Sequence, residues 1–259
     1  MNWNNSYYAA LETYLWKPQY LRNESKDKSE IKKRRVDEII ASVKELEEPL
    51  NHVLNVFFSL APSSLIARIV GSPSAGESFR SIHFSELRDS ANSKVLYSNL
   101  CQPDAFFFGN NLRACIELKV SAKLDVQQVI KYAALMGLYA RDLSATNRLI
   151  FLGPDTFQDL WRRRSIDSVE KLRDAIVSFE SEKLERRLRK FASSLDEAKH
   201  FANSLDLQFM PIPEFAEILS SELASLDVRS PGEEVYAKLL SGMLDELQRR
   251  FIHLREQAA

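Results

Sequence analysis

The 259-residue chain has few glycines (7) and prolines (9), two cysteines and almost no net charge. Each scarcity excludes something. So little glycine and proline rules out collagen-like and low-complexity architectures and leaves room for long helices. Cys101 and Cys115 are too few for a disulfide framework or a zinc site. The opening stretch, MNWNNSYYAALETYLW, has no basic segment followed by an apolar one, so no secretory leader is expected. No run of about 18 apolar residues occurs, so no membrane-spanning helix is expected. Lys plus Arg number 35 against 36 Asp plus Glu, a formal charge of −1. Proteins that coat nucleic acid non-specifically are basic overall, so any such contact here must come from local patches. The expectation is a soluble, cytoplasmic protein with reduced thiols and no membrane partner.

What is present is ordinary for a folded chain: 45% apolar and 27% charged residues. At about 150 residues per domain, the length suits one elaborated domain or two small ones. Apolar residues at helical spacing predict helices over 3–16, from Ser29 to Pro49, up to Pro62, and over 77–90. Residues 63–70 read as a strand or a short helix. KVLYS (94–98) is β-like, and PDAFFFGNNLRACIELKV (103–120) reads as two strands around a Gly109-Asn110-Asn111 turn. Residues 125–143 are helical, and NRLIFLGP (147–154) is an almost wholly apolar strand of the kind buried on both faces. Residues 155–204 read as one very long helix or two in series, 207–212 as a last strand, and the remainder as helices. The fold class expected is α/β (α+β): a mixed central sheet flanked by helices, with long helical additions at both ends. The segments expected are a helical region over 1–70, a core over 71–154, a helical insertion over 155–206, and a final strand with helices over 207–259.

The chemistry concentrates in Pro103-Asp104, a twelve-residue gap, and Glu117-Leu118-Lys119. Asp104 starts the first hairpin strand. Glu117 and Lys119 are two apart in the second strand and point to one face. Folding the hairpin brings both carboxylates to one point with the Lys ammonium beside them. Two hard oxygen ligands on a sheet make a partial Mg²⁺ site, completed by waters and a phosphate. A lysine there can orient a water or stabilise charge on phosphorus. Glu-x-Lys alone carries little information, since Glu24-x-Lys26 and Glu197-x-Lys199 also occur in polar surroundings. Glu117-x-Lys119 differs because it interrupts an apolar strand. A half-exposed edge strand with a solvated Glu/Lys face is the plain alternative.

These residues resemble the PD-(D/E)xK nuclease superfamily, whose restriction-endonuclease-like core runs helix-strand-strand-strand-helix-strand, the order expected over 77–153. Gln128-x-x-x-Tyr132 on the following helix is similar to the Gln-x-x-x-Tyr of the RecB-type and mismatch-endonuclease branches. The resemblance covers under half of the chain. It implies Mg²⁺-dependent (or Mn²⁺-dependent) hydrolysis of nucleic-acid, foremost DNA, phosphodiester bonds. It implies Asp104, Glu117 and the Leu118 carbonyl as metal ligands, and Lys119 as the residue that positions or activates water. It also implies Gln128 reaching the site and Tyr132 contacting the DNA backbone or holding Gln128. An acidic residue on the preceding helix often supports the metal; Glu77 and Glu86 are the candidates, with Glu77 at the helix start the better placed. One departure is that the segment after Lys119, Val-Ser-Ala-Lys-Leu-Asp, carries little positive charge.

Basic clusters stand at 32–35, 162–164 and 186–190. Arg162, Arg163 and Arg164 are the favoured phosphate contacts, with Trp161 beside them able to stack on a base or simply to pack. Solvated helix faces are the plain reading of all three clusters. The four histidines lack metal-ligand spacing, and Cys115 reads as core filler. Two further classes stay open: a nuclease-like fold used only for binding, as a scaffold or defence-system subunit, and a helical interaction protein in which the motif is chance; the protein partners considered are a second copy in a homodimer or a defence or repair protein.

Overall fold

The structure, a computed structural model, describes residues 47–74, 76–81, 101, 103–120, 123–139, 145–153, 156–162, 165–188 and 194–258. The expected helices over 3–16 and 29–46, the 94–98 strand and Glu86 lie outside the described residues. The elements are α1 (Glu47–Leu60), α2 (Ser63–Ile69), β1 (Arg80–Ser81), β2 (Ala105–Phe108), β3 (Leu112–Leu118), α3 (Val126–Tyr139) and β4 (Thr146–Gly153). There follow α4 (Val169–Val177), α5 (Glu182–Leu188), α6 (Leu195–Ser204), β5 (Asp206–Pro211), α7 (Ile212–Ser225) and α8 (Pro231–Ala258).

The chain forms two compact units, residues 61–212 and residues 1–60 with 213–259. This division differs from the expected boundaries near 70, 154 and 206: the 155–206 segment belongs to the same unit as the sheet.

The larger unit is α/β, with one mixed five-stranded sheet in the order β1-β2-β3-β4-β5. β1, β2 and β3 run antiparallel, while β3, β4 and β5 run parallel. The expected hairpin is present, closed by Gly109 N–H donating to the Leu112 carbonyl at 2.9 Å. β4 is buried on both faces from Leu149 to Leu152, as its apolar run predicts for an interior parallel strand. Phe106, Cys115, Leu149, Phe151 and Leu207 share one sheet face and form one core with α3, α4, α5 and α6. Each fully buried Leu, Ile or Phe contributes roughly 1.5–3 kcal/mol.

Two expectations change here. Residues 77–81 are not the start of a helix: Arg80 and Ser81 pair with β2 instead. The 155–204 segment is three short helices after a 3₁₀ turn (Gln158–Leu160), not one or two long ones. Serines divide it: Ser168 Oγ accepts from Lys171 N–H, Ser181 Oγ from Leu184 N–H and Ser194 Oγ from Glu197 N–H. Each offers an N-terminal cap, so the chain restarts a helix where a continuous one would leave these hydroxyls unused.

In the smaller unit, Phe57, Phe58 and Phe215 pack ring to ring, while α8 buries Leu240, Met243 and Leu247. No described helix is long and apolar enough to cross a membrane.

Candidate active site

Strand register sets the site. Ala105 pairs with Ile116 in the antiparallel ladder. The ladder ends there, and Asp104, the residue before Ala105, reaches β3 through its side chain rather than by backbone pairing. Asp104 Oδ2 accepts a hydrogen bond from Leu118 N–H at 2.7 Å. On the other side of β3, Lys119 N–H donates to the Leu152 carbonyl at 2.8 Å. The backbone groups of Leu118 therefore point away from β4, toward Asp104. Pro103, just before Asp104, has no N–H to donate toward the end of β3.

Glu117 lies on the face that packs against α3, two residues beyond Cys115. Its Oε1 meets Lys119 Nζ at 2.8 Å. Its Oε2 accepts a hydrogen bond from the Tyr132 hydroxyl of α3. Glu117, Lys119 and Tyr132 are 2%, 5% and 3% exposed. Burial raises the Tyr132 phenol and the Cys115 thiol well above their ordinary pKa values, and the charges of Glu117 and Asp104 push both further. Both carboxylates thus act on the same buried volume. Cys101 is raised in the same way, by burial and then by Glu117.

Of the residues expected at the site, the structure brings together Asp104, Glu117, Leu118 and Lys119. Tyr132 joins them in a different role. It is buried, and its hydroxyl donates to Glu117 Oε2 rather than to Gln128. Gln128 turns away: its Oε1 accepts from Asp125 N–H at 3.3 Å, while Asp125 Oδ1 accepts from Gln127 N–H at 3.1 Å. The Gln128 side chain thus closes back on the Asp125 N–H while the Asp125 carboxylate caps Gln127 N–H, so both side chains serve the start of α3.

Glu77 is also elsewhere. Its Oε1 accepts from Asn111 N–H at 2.6 Å and Leu112 N–H at 3.1 Å, and its Oε2 from Ser72 Oγ at 2.6 Å. These groups sit at the turn end of the hairpin. Five residues of strand, about 17 Å, separate Leu112 from Glu117. Burial pushes the Glu77 carboxyl up, but the bonds from Ser72 and the turn amides outweigh it and hold its pKa below the ordinary value.

Arg162 is exposed, whereas Trp161 is buried and packs on Phe151 and Phe157 at ring separations of 5.6 Å each. Trp161 is a packing residue. Arg163 and Arg164 lie outside the described residues.

The donor chemistry suits a hard cation. A carboxylate offers about four lone-pair sites, and Lys119 with Tyr132 engages both Glu117 oxygens without using all of them. Among the described residues no group of three or more His, Cys, Asp or Glu could hold a metal ion. A cation here would rest on two carboxylates, one carbonyl and waters, the sparse protein ligation Mg²⁺ accepts.

In comparisons with known proteins, no family model, no curated protein and no solved structure matches this chain.

Proposed function

We propose that this chain is a Mg²⁺-dependent nuclease with a restriction-endonuclease-like core, hydrolysing phosphodiester bonds in nucleic acid, DNA foremost. The observation that carries the reading is the cluster at the open end of the hairpin: Asp104 Oδ2 accepts from Leu118 N–H at 2.7 Å, and Lys119 Nζ lies 2.8 Å from Glu117. Asp104, Glu117 and the Leu118 carbonyl are the residues that hold Mg²⁺ or Mn²⁺. Once bound, such an ion supplies Lewis acidity and a more acidic water. Lys119 holds the attacking water and offsets negative charge at the phosphate. Tyr132 fixes the Glu117 carboxylate, and Arg162 contacts phosphate.

One observation favours a second reading, a catalytically silent nucleic-acid-binding or scaffold subunit. Both Glu117 oxygens already have protein donors, and Lys119 is almost fully buried.

Cleavage of circular single-stranded and supercoiled double-stranded DNA with Mg²⁺ or Mn²⁺ separates the two. Wild type is compared with Asp104→Ala and Lys119→Ala, purified identically. The nuclease reading expects cutting that both substitutions abolish. Cutting that persists in both variants refutes it. Binding without cutting by wild type supports the silent subunit.

A further inference from the structure

Past the ends of β3 and β4 the chain makes one more pairing. Leu124 and Trp161 form a parallel bridge, with Leu124 N–H donating to the Leu160 carbonyl at 2.6 Å and Arg162 N–H to the Leu124 carbonyl at 3.1 Å. This ribbon is fixed to the site end of the sheet. A Cβ at Gly153 would lie 2.3 Å from Leu160 Cδ2 and 3.5 Å from the Lys119 carbonyl oxygen, so Leu160 rests on the strand ends beside Lys119. Leu124 and Trp161 both turn inward and are buried. Their neighbours Lys123 and Arg162 are exposed.

Lys123 precedes Leu124 and Arg162 follows Trp161, so the two flank the bridged pair; an ideal parallel pair would set such Cα atoms about 8 Å apart. Lys123 Nζ donates to the Asp159 carbonyl, which uses one of its three donors. No hydrogen bond or ion pair engages the Arg162 guanidinium among the described residues. Two acids share the ribbon, but their carboxylates fold back on the chain: Asp125 Oδ1 accepts from Gln127 N–H, and Asp159 Oδ2 from Thr156 Oγ1.

We infer that Lys123 and Arg162 form a two-point contact for neighbouring phosphates of one nucleic-acid strand. The contact positions that strand along the rim beside Lys119 and takes no part in the chemistry. This rests on the nuclease reading and adds a residue, Lys123, that the motif does not contain.

The test is binding of a fluorescently labelled single-stranded DNA to the full chain carrying Lys119→Ala, followed by anisotropy between 50 and 200 mM salt. Lys123→Ala and Arg162→Ala are added singly and together. Each neutralised phosphate contact is worth a slope of about 0.7 in log affinity against log salt for a single strand. The expectation is a loss of about that slope in each single variant, about twice that in the double, and retention in Lys123→Arg. In the chain with Lys119 intact, the same substitutions should raise KM and leave kcat unchanged. Unchanged slopes with binding intact overturn this inference and leave the nuclease reading standing. A fall in kcat with KM unchanged also overturns it. Neither binding nor cutting by the wild-type chain ends both.

Discussion

Replacing Glu77 tests whether its carboxylate serves the fold, through the hairpin turn, or the chemistry proposed above. Glu77→Ala removes the acceptor for Asn111 N–H, Leu112 N–H and Ser72 Oγ. Asn111 is exposed, so water can serve its N–H; Leu112 is buried, so its N–H is left unsatisfied. An unsatisfied buried donor costs about 1–3 kcal/mol, and losing the Ser72 tether adds a fraction of a charged hydrogen bond. The expected loss is about 2–3 kcal/mol for Ala and about 1 kcal/mol for Gln, which keeps an acceptor oxygen. The pH dependence has a definite sign. The folded-state pKa of Glu77 lies below its unfolded value. Its contribution is therefore complete above the unfolded pKa of about 4.3 and fades as pH falls through the folded value. Urea unfolding of wild type and both variants, at pH 7 and again near pH 3, should show a gap that narrows on acidification. DNA cleavage by the folded variants should stay near wild type. A midpoint unchanged at pH 7, or cleavage lost with stability intact, refutes the cap.

Three further outcomes follow from the geometry. Tyr132→Phe removes the donor to Glu117 Oε2 while keeping the ring in the core; if the chain is the nuclease proposed above, cleavage should fall by about 10–100-fold, the usual cost of losing a group that orients a metal ligand, read as kcat with the melting temperature checked alongside. Gly153→Ala places a Cβ 2.3 Å from Leu160 Cδ2, so overpacking should cost about 1–3 kcal/mol by chemical denaturation. Asp125→Ala breaks the cap of α3 and should cost about 0.5–2 kcal/mol, whereas Gln128→Ala should cost less and leave cleavage within a few-fold; a much larger activity loss in Gln128→Ala would mean its side chain leaves the cap and reaches substrate.

The parts of the fold legible in the sequence were those with strong periodicity or turn chemistry. Gly109-Asn110-Asn111 between two apolar runs gave the hairpin, and the unbroken run Leu149–Leu152 gave an interior parallel strand. Glu117 and Lys119 stand out in the sequence because charge inside an apolar strand is a local conflict, and the hairpin turn is what brings Asp104, at the start of the other strand, beside them. Most of the differences share one cause, polar side chains serving the backbone. Ser168, Ser181 and Ser194 divide what apolar spacing alone reads as continuous helix. Asp125-Val-Gln-Gln128 is a capping-box pattern, and that signal competed with the motif for Gln128. Glu77 was misplaced because its partners lie 34 and 35 residues away, beyond any local pattern. For Tyr132 the clue was a hydroxyl on the otherwise apolar helix stretch KYAALM, which has to find a partner once buried.

The antiparallel pairing of β2 with β3 separates the carboxylates from the turn that joins them. Residues added at the tip around Gly109 lengthen the excursion between Asp104 and Glu117 along the chain but leave the opposite ends of the two strands facing each other. What must hold is parity: a shift of one residue in either strand turns one acid to the far side of the sheet. Glu117 and Lys119 have no such freedom, because both belong to one strand and their two-residue spacing fixes their common direction. A search for similar sites should therefore keep the acid-to-lysine step rigid and let the preceding gap vary. An engineer could graft a longer sensing loop at the hairpin tip without moving the chemistry.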